Sequence, residues 1–220
     1  MTSTILKLIA LITMIIDHTG AIFFPSNITL RIIGRIAFPI YCFLLIEGYT
    51  YTKNIQKYGL RLFIFALISE IPFDYAFNGE LGFSHQNIFF TLSLGLLFIY
   101  MIDHVMVLNP AVAISGMILS VFLSEFLRTD YGILGIIYIL IFYIASKIQG
   151  FMKPVFIFIM LYIFSATLAY GIQYYAILAV PFIALYNGKK GSLGAIMKYG
   201  FYIAYPLHLA ILYFIKIRLS

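Results

Sequence analysis

Asp17 and His18 stand side by side in the stretch LITMIIDHTGAIFF, residues 11–24, which is otherwise mostly apolar. An ionisable side chain at membrane depth costs several kcal/mol unless it is paired or faces water, so such a residue indicates a functional site. An imidazole next to a carboxylate can be held in one tautomer while its other nitrogen accepts a proton, as a general base requires. We therefore predict proton-transfer chemistry, with His18 as the base and Asp17 as its partner.

Three more charged residues are predicted at a similar depth in neighbouring helices. At about 1.5 Å of rise per residue, Asp17 and His18 lie about 18–20 Å from the inner end of the first helix. Glu70 lies about 18 Å up the third helix, and Arg35 and Asp74 lie at about 24 Å. These charges form either a paired latch between helices or part of a reactive site. Asp17 also has Arg35 as an alternative partner, because helical neighbours point about 100° apart.

Further polar residues are expected to line a vestibule at the outer end of the bundle. They are His85, Gln86, Asn87, Thr91, Arg128 and Asp130. His208 follows Tyr205-Pro206 near the middle of the last helix, and it is predicted to be a hydrogen-bonded histidine at a proline kink. Asp103-His104 repeats the Asp-His dipeptide at the inner end of a helix, where a solvated pair needs no function.

The amino-acid composition places this chemistry inside a membrane. Of the 220 residues, 63% are hydrophobic and 10% are charged, which is too apolar for a soluble domain of this size. The net charge of +6 does not indicate nucleic-acid binding, because the basic residues lie in short gaps between apolar runs. The single cysteine, Cys42, excludes an intrachain disulfide. We predict one integral membrane domain, residues 1–220, that binds neither a metal nor nucleic acid.

Apolar runs of about 20 residues, the length at which a helix crosses a bilayer, recur along the chain. The predicted fold is an all-α polytopic transmembrane bundle with about nine spans, eight and ten being the alternatives. Because basic residues remain on the cytoplasmic side, the N terminus is predicted to be cytoplasmic. The predicted spans are residues 5–24, 31–51, 58–77, 86–107, 111–127, 131–146, 154–170, 172–186 and 198–217.

Six stretches spread over nearly the full chain carry a family likeness. They are LKLIALITMIIDHTGAIFF, LRIIGRIAFPIYCFLLIEGYTYTKN, KYGLRLFIFALISEIPFDYAF, QNIFFTLSLG, DYGILGI and KYGFYIAYPLHLAIL. In this order they resemble the TraX family, whose namesake is the F-pilin acetylase of conjugative plasmids. That family is distantly similar to the acyltransferase-3 and heparan-glucosaminide acetyltransferase membrane proteins. The resemblance implies a multi-pass acetyltransferase of the inner membrane that takes its acetyl group from cytoplasmic acetyl-CoA.

The resemblance also implies where the acceptor reacts. It points to His18 as the catalytic base and Asp17 as its partner, reached from the outer side by a peptide (pilin) N terminus or an envelope glycan. Arg35 or Asn87 is the expected donor to the oxyanion. Glu70, Asp74 and Gln86 are further candidates for the oxyanion or acceptor side. The stretches that resemble the family also contain Glu47 and Arg61.

The donor is expected at the inner surface, where acetyl-CoA phosphates would meet Lys53, Lys57 and Arg61. Other basic candidates are Lys147, Lys153, Lys189, Lys190 and Lys198, although membrane topology alone also explains lysines on this side. A competing hypothesis is a small proton-coupled transporter in which the buried Asp, His and Glu residues form a relay. A non-catalytic membrane scaffold is a third.

Overall fold

The computed structural model describes residues 1–168, 171–191 and 195–219, with the side chains of 195–198 excepted. Within these residues the regular structure is helical, as predicted, and one backbone bridge joins Gln86 to Thr129. The end of the predicted span 154–170 and the side chain of Lys198 lie outside the described residues. The helices are α1 (Ser3–Phe23), α2 (Ile28–Gly34), α3 (Ala37–Tyr51), α4 (Ile55–Phe77), α5 (Ile88–Tyr100), α6 (Pro110–Phe126), α7 (Gly132–Ser146), α8 (Met152–Thr167), α9 (Val180–Ala184) and α10 (Ala195–Leu219).

Among the described residues, asparagine side chains start four of these helices. The first amides of a helix have no partner within it, and an Asn side chain at the N-cap position accepts from one of them. Asn27, Asn54, Asn87 and Asn109 cap α2, α4, α5 and α6 in this way, at 3.2, 2.8, 3.0 and 3.2 Å. Pro110 then occupies the first turn of α6, where its missing amide hydrogen costs nothing. Asn87 is therefore committed to helix initiation.

Four segments of the described chain are long and apolar enough to cross a membrane: Ser3–Phe23, Ile28–Tyr51, Ile88–Val105 and Tyr199–Leu219. The second joins α2 to α3 across a break at Arg35-Ile36, and the third extends α5 by a π-helical turn, Met101–Val105. Four other apolar helical stretches are shorter, namely Pro110–Phe126, Gly132–Ser146, Met152–Thr167 and Gly171–Ala184. These helices are typical of a membrane protein. The count of nine spans and the side of the N terminus stay predictions.

Helix α1 is in contact with α2, α3 and α10, so residues from distant parts of the sequence meet around it. The approach of α2 depends on Gly34, because a Cβ at this position would overlap the carboxylate of Asp17. Helix α10 lies along both α4 and α1, which brings His208 beside His18. Large buried side chains of α7, among them Tyr138 and Phe142, fill the core on the other side of α3.

The two ends of the bundle carry different groups. At one end the amides of Ser3 and Thr4 donate to the carbonyls of Lys189 and Lys190, and the side chains of Lys147 and Lys153 approach the acidic residues Asp103 and Glu47 at 3.8 Å. At the other end lie arginines of α2 and the Lys216 ammonium, which donates to the carbonyl of Ala76 at 3.2 Å. The first end therefore collects most of the lysines.

Candidate active site

A cavity of about 420 Å³ opens at the end of the bundle opposite the lysines. Its walls come from α1, α2, α3 and α4, from the loops 78–87 and 127–131, and from one residue each of α5 and α10. We call it the histidine cavity and define it by Asp17, His18, Arg31, Arg35, His85, Asp130 and Tyr131. The sequence-predicted pair and Arg35 thus line one space.

The Asp17 carboxylate binds two guanidinium groups. Its Oδ2 atom accepts from Arg31 at 2.8 Å and from Arg35 Nη2 at 2.7 Å. The Nη1 atom of Arg35 donates to the Tyr131 hydroxyl at 3.3 Å. Two cations share one anion, so the group carries net positive charge beside the cavity. The prediction that Asp17 orients His18 is corrected by this geometry, because the carboxylate faces α2 and the partner of His18 comes from α10.

That partner is His208. The His18 Nδ1 and His208 Nε2 atoms are 2.7 Å apart, and both side chains are buried. The His208 Nδ1 atom lies 3.0 Å from the carbonyl oxygen of Ala204, which can only accept. A neutral His208 must therefore donate at Nδ1 and accept at Nε2, so His18 donates its Nδ1–H. The lone pair of a neutral His18 is then on Nε2, and this nitrogen can take a proton.

Glu70 and Asp74 do not join the two arginines, contrary to the predicted latch. Glu70 accepts from the backbone amide of Asn87 at 3.3 Å and from its side-chain amide. Asp74 accepts from the Gly82 amide at 2.9 Å and so holds the loop that follows α4. Neither carboxylate is among the residues that line the histidine cavity. Both position backbone at its rim.

Gln86 and Asn87 also lie behind the cavity wall. The Asn87 amide group donates to the carbonyl of Ala66 at 2.8 Å and to Glu70, while its oxygen caps α5. Both hydrogens of the Asn87 side-chain amide are used in these bonds, so the prediction that Asn87 donates to an oxyanion is corrected. Gln86 is buried, and its backbone amide donates to the Arg128 carbonyl at 3.1 Å, which joins the two loops.

A second histidine lies at the mouth of the histidine cavity. His85 Nε2 is 3.4 Å from Asp130 Oδ1, and the side chains are 47% and 35% exposed. The hydrogen bond to Asp130 raises the pKa of His85 above its ordinary value, and the nearby carboxylates add to the effect. The pair places a titratable group at the exposed end of this cavity.

A larger cavity of about 970 Å³ opens at the lysine end. We call it the basic cavity. Lys53, Lys57 and Arg61 all line it, as does Lys190, whereas Lys147, Lys153 and Lys189 are not among its lining residues. The Arg61 guanidinium lies between the rings of Tyr58 and Tyr202, 5.2 and 5.3 Å from their centroids. The fold therefore brings the three predicted basic residues together around one cavity, whose size is typical for small-molecule ligands.

The two cavities meet. Four described residues line both of them, and we call this set the neck: Met14, Tyr41, Ile88 and Tyr205. The ring of Tyr205 is 6.0 Å from that of His18 and 5.5 Å from that of His208, measured between centroids. The histidine pair therefore lies beside the point where the spaces approach each other. Among the described residues, no group of three or more His, Cys, Asp and Glu side chains is arranged to hold a metal ion.

The family model described as TraX protein matches residues 2–216. The chain belongs to the TraX family. Over 233 aligned residues it is 33% identical to the "Probable fimbrial assembly protein FimC, serogroup H1" of Dichelobacter nodosus. This alignment covers 94% of the chain and 92% of the relative. An uncharacterised protein of Rickettsia prowazekii (strain Madrid E) is 33% identical over 145 residues, 64% of this chain and 55% of the relative. No solved structure matches the chain.

Sequence reasoning missed three members of the site within this TraX chain. His208 was predicted to serve a helix kink, and Tyr131 and Tyr205 received no role. A signal was available for His208, because it lies near the middle of its helix and so at the depth predicted for His18. Nothing in the local sequence indicates the tyrosines, since 18 tyrosines occur along the chain.

Proposed function

We propose that this TraX-family chain is an inner-membrane acetyltransferase that moves an acetyl group from cytoplasmic acetyl-CoA to an amine or hydroxyl on the outer side. The observation that carries the proposal is the pair of cavities, which open at opposite ends and meet at a neck beside a buried histidine pair. A donor confined to one side and an acceptor confined to the other can react only at such a meeting point.

The basic cavity suits the donor. Its mouth carries Lys53 and Lys57, exposed and able to approach the phosphates of acetyl-CoA, and Arg61 lies deeper between aromatic rings. Ammonium and guanidinium groups form charge-assisted hydrogen bonds with phosphate oxygens. The thin pantetheine arm would extend past these residues toward Tyr205 and bring the thioester to the neck.

The histidine cavity suits the acceptor. In the proposed reaction His18 Nε2 takes the proton of the attacking nitrogen or oxygen as the new bond to the acetyl carbon forms. The imidazolium is stabilised by its Nδ1–H bond to His208. When the tetrahedral intermediate collapses, the carbon–sulfur bond breaks and His18 returns the proton to the departing thiolate. Each cycle then leaves the protein unchanged.

The same proposal assigns orientation and acceptor. In this proposal the lysine end and the N terminus lie in the cytoplasm, as the bias of basic residues toward that side favours, and the chain crosses the membrane nine times. A Dichelobacter nodosus relative bears the name of a probable fimbrial assembly protein, and this supports a pilus-subunit N terminus as the acceptor over an envelope glycan.

The proton-relay alternative receives less support. A relay needs a chain of ionisable groups within hydrogen-bonding reach of one another. Glu70 and Asp74 instead accept hydrogen bonds from Asn87 and Gly82, and Asp17 is held by two arginines. In the described part of the chain, His18 is hydrogen-bonded to His208 and to none of these carboxylates.

Mass spectrometry of membrane and cell-surface material from cells with and without the protein tests the proposal. An acetyl group on a pilus subunit or envelope component should disappear with the protein and return with the wild-type chain, but not with His18→Ala. Purified protein in liposomes should transfer labelled acetyl from acetyl-CoA. Proton-coupled uptake with no acetyl transfer would instead favour the transporter.

Kinetics of donor-side variants sharpen the test. Arg61→Ala, or Lys53→Ala with Lys57→Ala, should raise the KM for acetyl-CoA about tenfold with little change in kcat, because remote phosphate contacts supply uniform binding. Lys147→Ala is the matched control, since it removes a basic residue at the same end outside the basic cavity. Equal effects of all three variants would move the donor site elsewhere.

A further inference from the structure

The hydroxyl of Tyr205 is a buried polar group without a hydrogen-bond partner among the described residues. The residue is 4% exposed and belongs to the neck, so its side chain borders both cavities. Buried hydroxyl groups in folded proteins nearly always have a partner, and an exception calls for an explanation. A ligand oxygen at the neck would supply the missing acceptor.

The surroundings of this hydroxyl favour a negatively charged ligand atom. Ile88, the first residue of α5, is also part of the neck, and the N-terminal end of a helix carries partial positive charge. The Ile88 backbone amide lies near the Tyr205 oxygen but outside hydrogen-bond geometry, and as a donor it makes no use of the phenolic hydrogen. An interaction of this kind leaves the phenolic hydrogen available to donate.

We propose that the Tyr205 hydroxyl is the donor that binds the thioester carbonyl oxygen and stabilises the oxyanion formed from it. The inference rests on the proposed acetyl transfer. As the acceptor atom attacks the carbonyl carbon and its proton goes to His18, the carbonyl π electrons move to the oxygen, which Tyr205 then holds. On collapse they re-form the carbonyl, the carbon–sulfur bond breaks, and the thiolate takes the proton from His18.

Other donors near the histidine pair are already engaged or do not border both cavities. Arg35 donates to Asp17 and Tyr131, and although its Nε hydrogen has no partner, the residue is not among those that line the basic cavity. The Asn87 amide is used by Ala66 and Glu70. Tyr41 shares the neck, but its hydroxyl donates to the Met14 sulfur at 3.7 Å. Tyr205 therefore has both the position and the unused hydrogen.

The test is Tyr205→Phe, assayed with labelled acetyl-CoA and acceptor in liposomes. Loss of one oxyanion donor lowers kcat by about 10²- to 10³-fold, so we expect a fall of that size with the KM for acetyl-CoA changed less than about twofold. The thermal midpoint should stay the same or rise, because the substitution removes an unpartnered buried hydroxyl. Tyr138→Phe is the matched control, since its hydroxyl is also buried and unpartnered but lines neither cavity.

The outcomes separate this inference from the proposed function. Full kcat in Tyr205→Phe, with the wild type active, overturns the role of Tyr205 and leaves the acetyltransferase proposal standing. A fall in kcat that is matched by Tyr138→Phe, or accompanied by a lower thermal midpoint, assigns Tyr205 to packing and also overturns it. No acetyl transfer by the wild type overturns the proposed function and this inference together.

Discussion

The chain contains the dipeptide Asp-His twice, in surroundings that differ in every respect. Asp17-His18 lies within α1, with both side chains buried beside the histidine cavity. Asp103-His104 lies in the π-helical turn after α5, where His104 is exposed and borders neither cavity. The comparison shows how little the dipeptide itself specifies, because position in the bundle decides what each member meets.

The partners of the two pairs differ in kind. Asp17 is bound by two guanidinium groups, whereas Asp103 accepts from the hydroxyls of Tyr49 and Tyr143 and approaches the Lys147 ammonium at 3.8 Å. His18 is fixed by a second imidazole. His104 stacks on Tyr100, at 4.9 Å between centroids, and faces solvent. We infer a reactive histidine, His18, at one end and a structural Asp103-His104 pair at the other.

The largest expected difference is in catalysis. His18→Ala should lower acetyl transfer by about 10²- to 10⁴-fold, the usual worth of a general base, while acetyl-CoA binding persists through the basic cavity. His104→Ala should leave transfer unchanged. Initial rates and donor binding by calorimetry on both variants measure the contrast. Full transfer by a folded His18→Ala protein would break it.

The aspartates should differ in stability. Asp17→Asn leaves two guanidinium groups without their anion, one of them only 9% exposed, and breaking a buried ion pair costs about 3–5 kcal/mol. Asp103→Asn keeps a hydrogen-bond acceptor for two hydroxyls in a partly exposed site, so we expect a loss of about 1 kcal/mol. Thermal unfolding in detergent compares them. Equal midpoints would show that the arginines find other partners.

The bond that orients His18 gives the third contrast. His208→Ala removes the acceptor of the His18 Nδ1–H, and losing a hydrogen bond to a group that becomes charged, about 1.5–3 kcal/mol, lowers kcat about 10- to 100-fold. Tyr49→Phe removes the corresponding hydroxyl bond to His104, at 3.2 Å, and should not change kcat. An unchanged rate in His208→Ala would mean that His18 is oriented by its ring packing alone.

Much of the fold could be read from the sequence because apolar length is a strong signal. The predicted spans 5–24 and 111–127 correspond to α1, Ser3–Phe23, and α6, Pro110–Phe126. The break between α2 and α3 could not be predicted, since the residues on both sides are apolar and α2 ends where it meets Asp17 across Gly34. Such a contact depends on tertiary packing, which local pattern does not encode.

The site was predictable in part for the same reason. Depth along a helix indicated that Asp17, His18 and Arg35 would lie together, and these residues line one cavity. Depth did not tell which way a side chain points, so it missed that Glu70 turns to Asn87 and left open whether Asp17 turns to His18 or to Arg35. The packing of α10 against α1 joins residues 190 positions apart, so depth indicated that His208 lies at the level of His18 but not that the two helices are neighbours.

A third histidine–carboxylate pair, His85 with Asp130, should show the smallest effect. Because the pKa of His85 is raised in the folded protein, its contribution to stability is fully present below the unfolded value of 6.5 and is lost as pH rises through the raised folded value. Both side chains are more than one third exposed, and exposed ion pairs contribute about 0–1 kcal/mol to the free energy of unfolding. His85→Gln should therefore lower the thermal midpoint slightly at pH 5.5 and not at pH 9. A difference between wild type and variant that grows toward pH 9 would contradict the raised pKa, and an equal loss at both pH values would assign His85 to packing against Phe73.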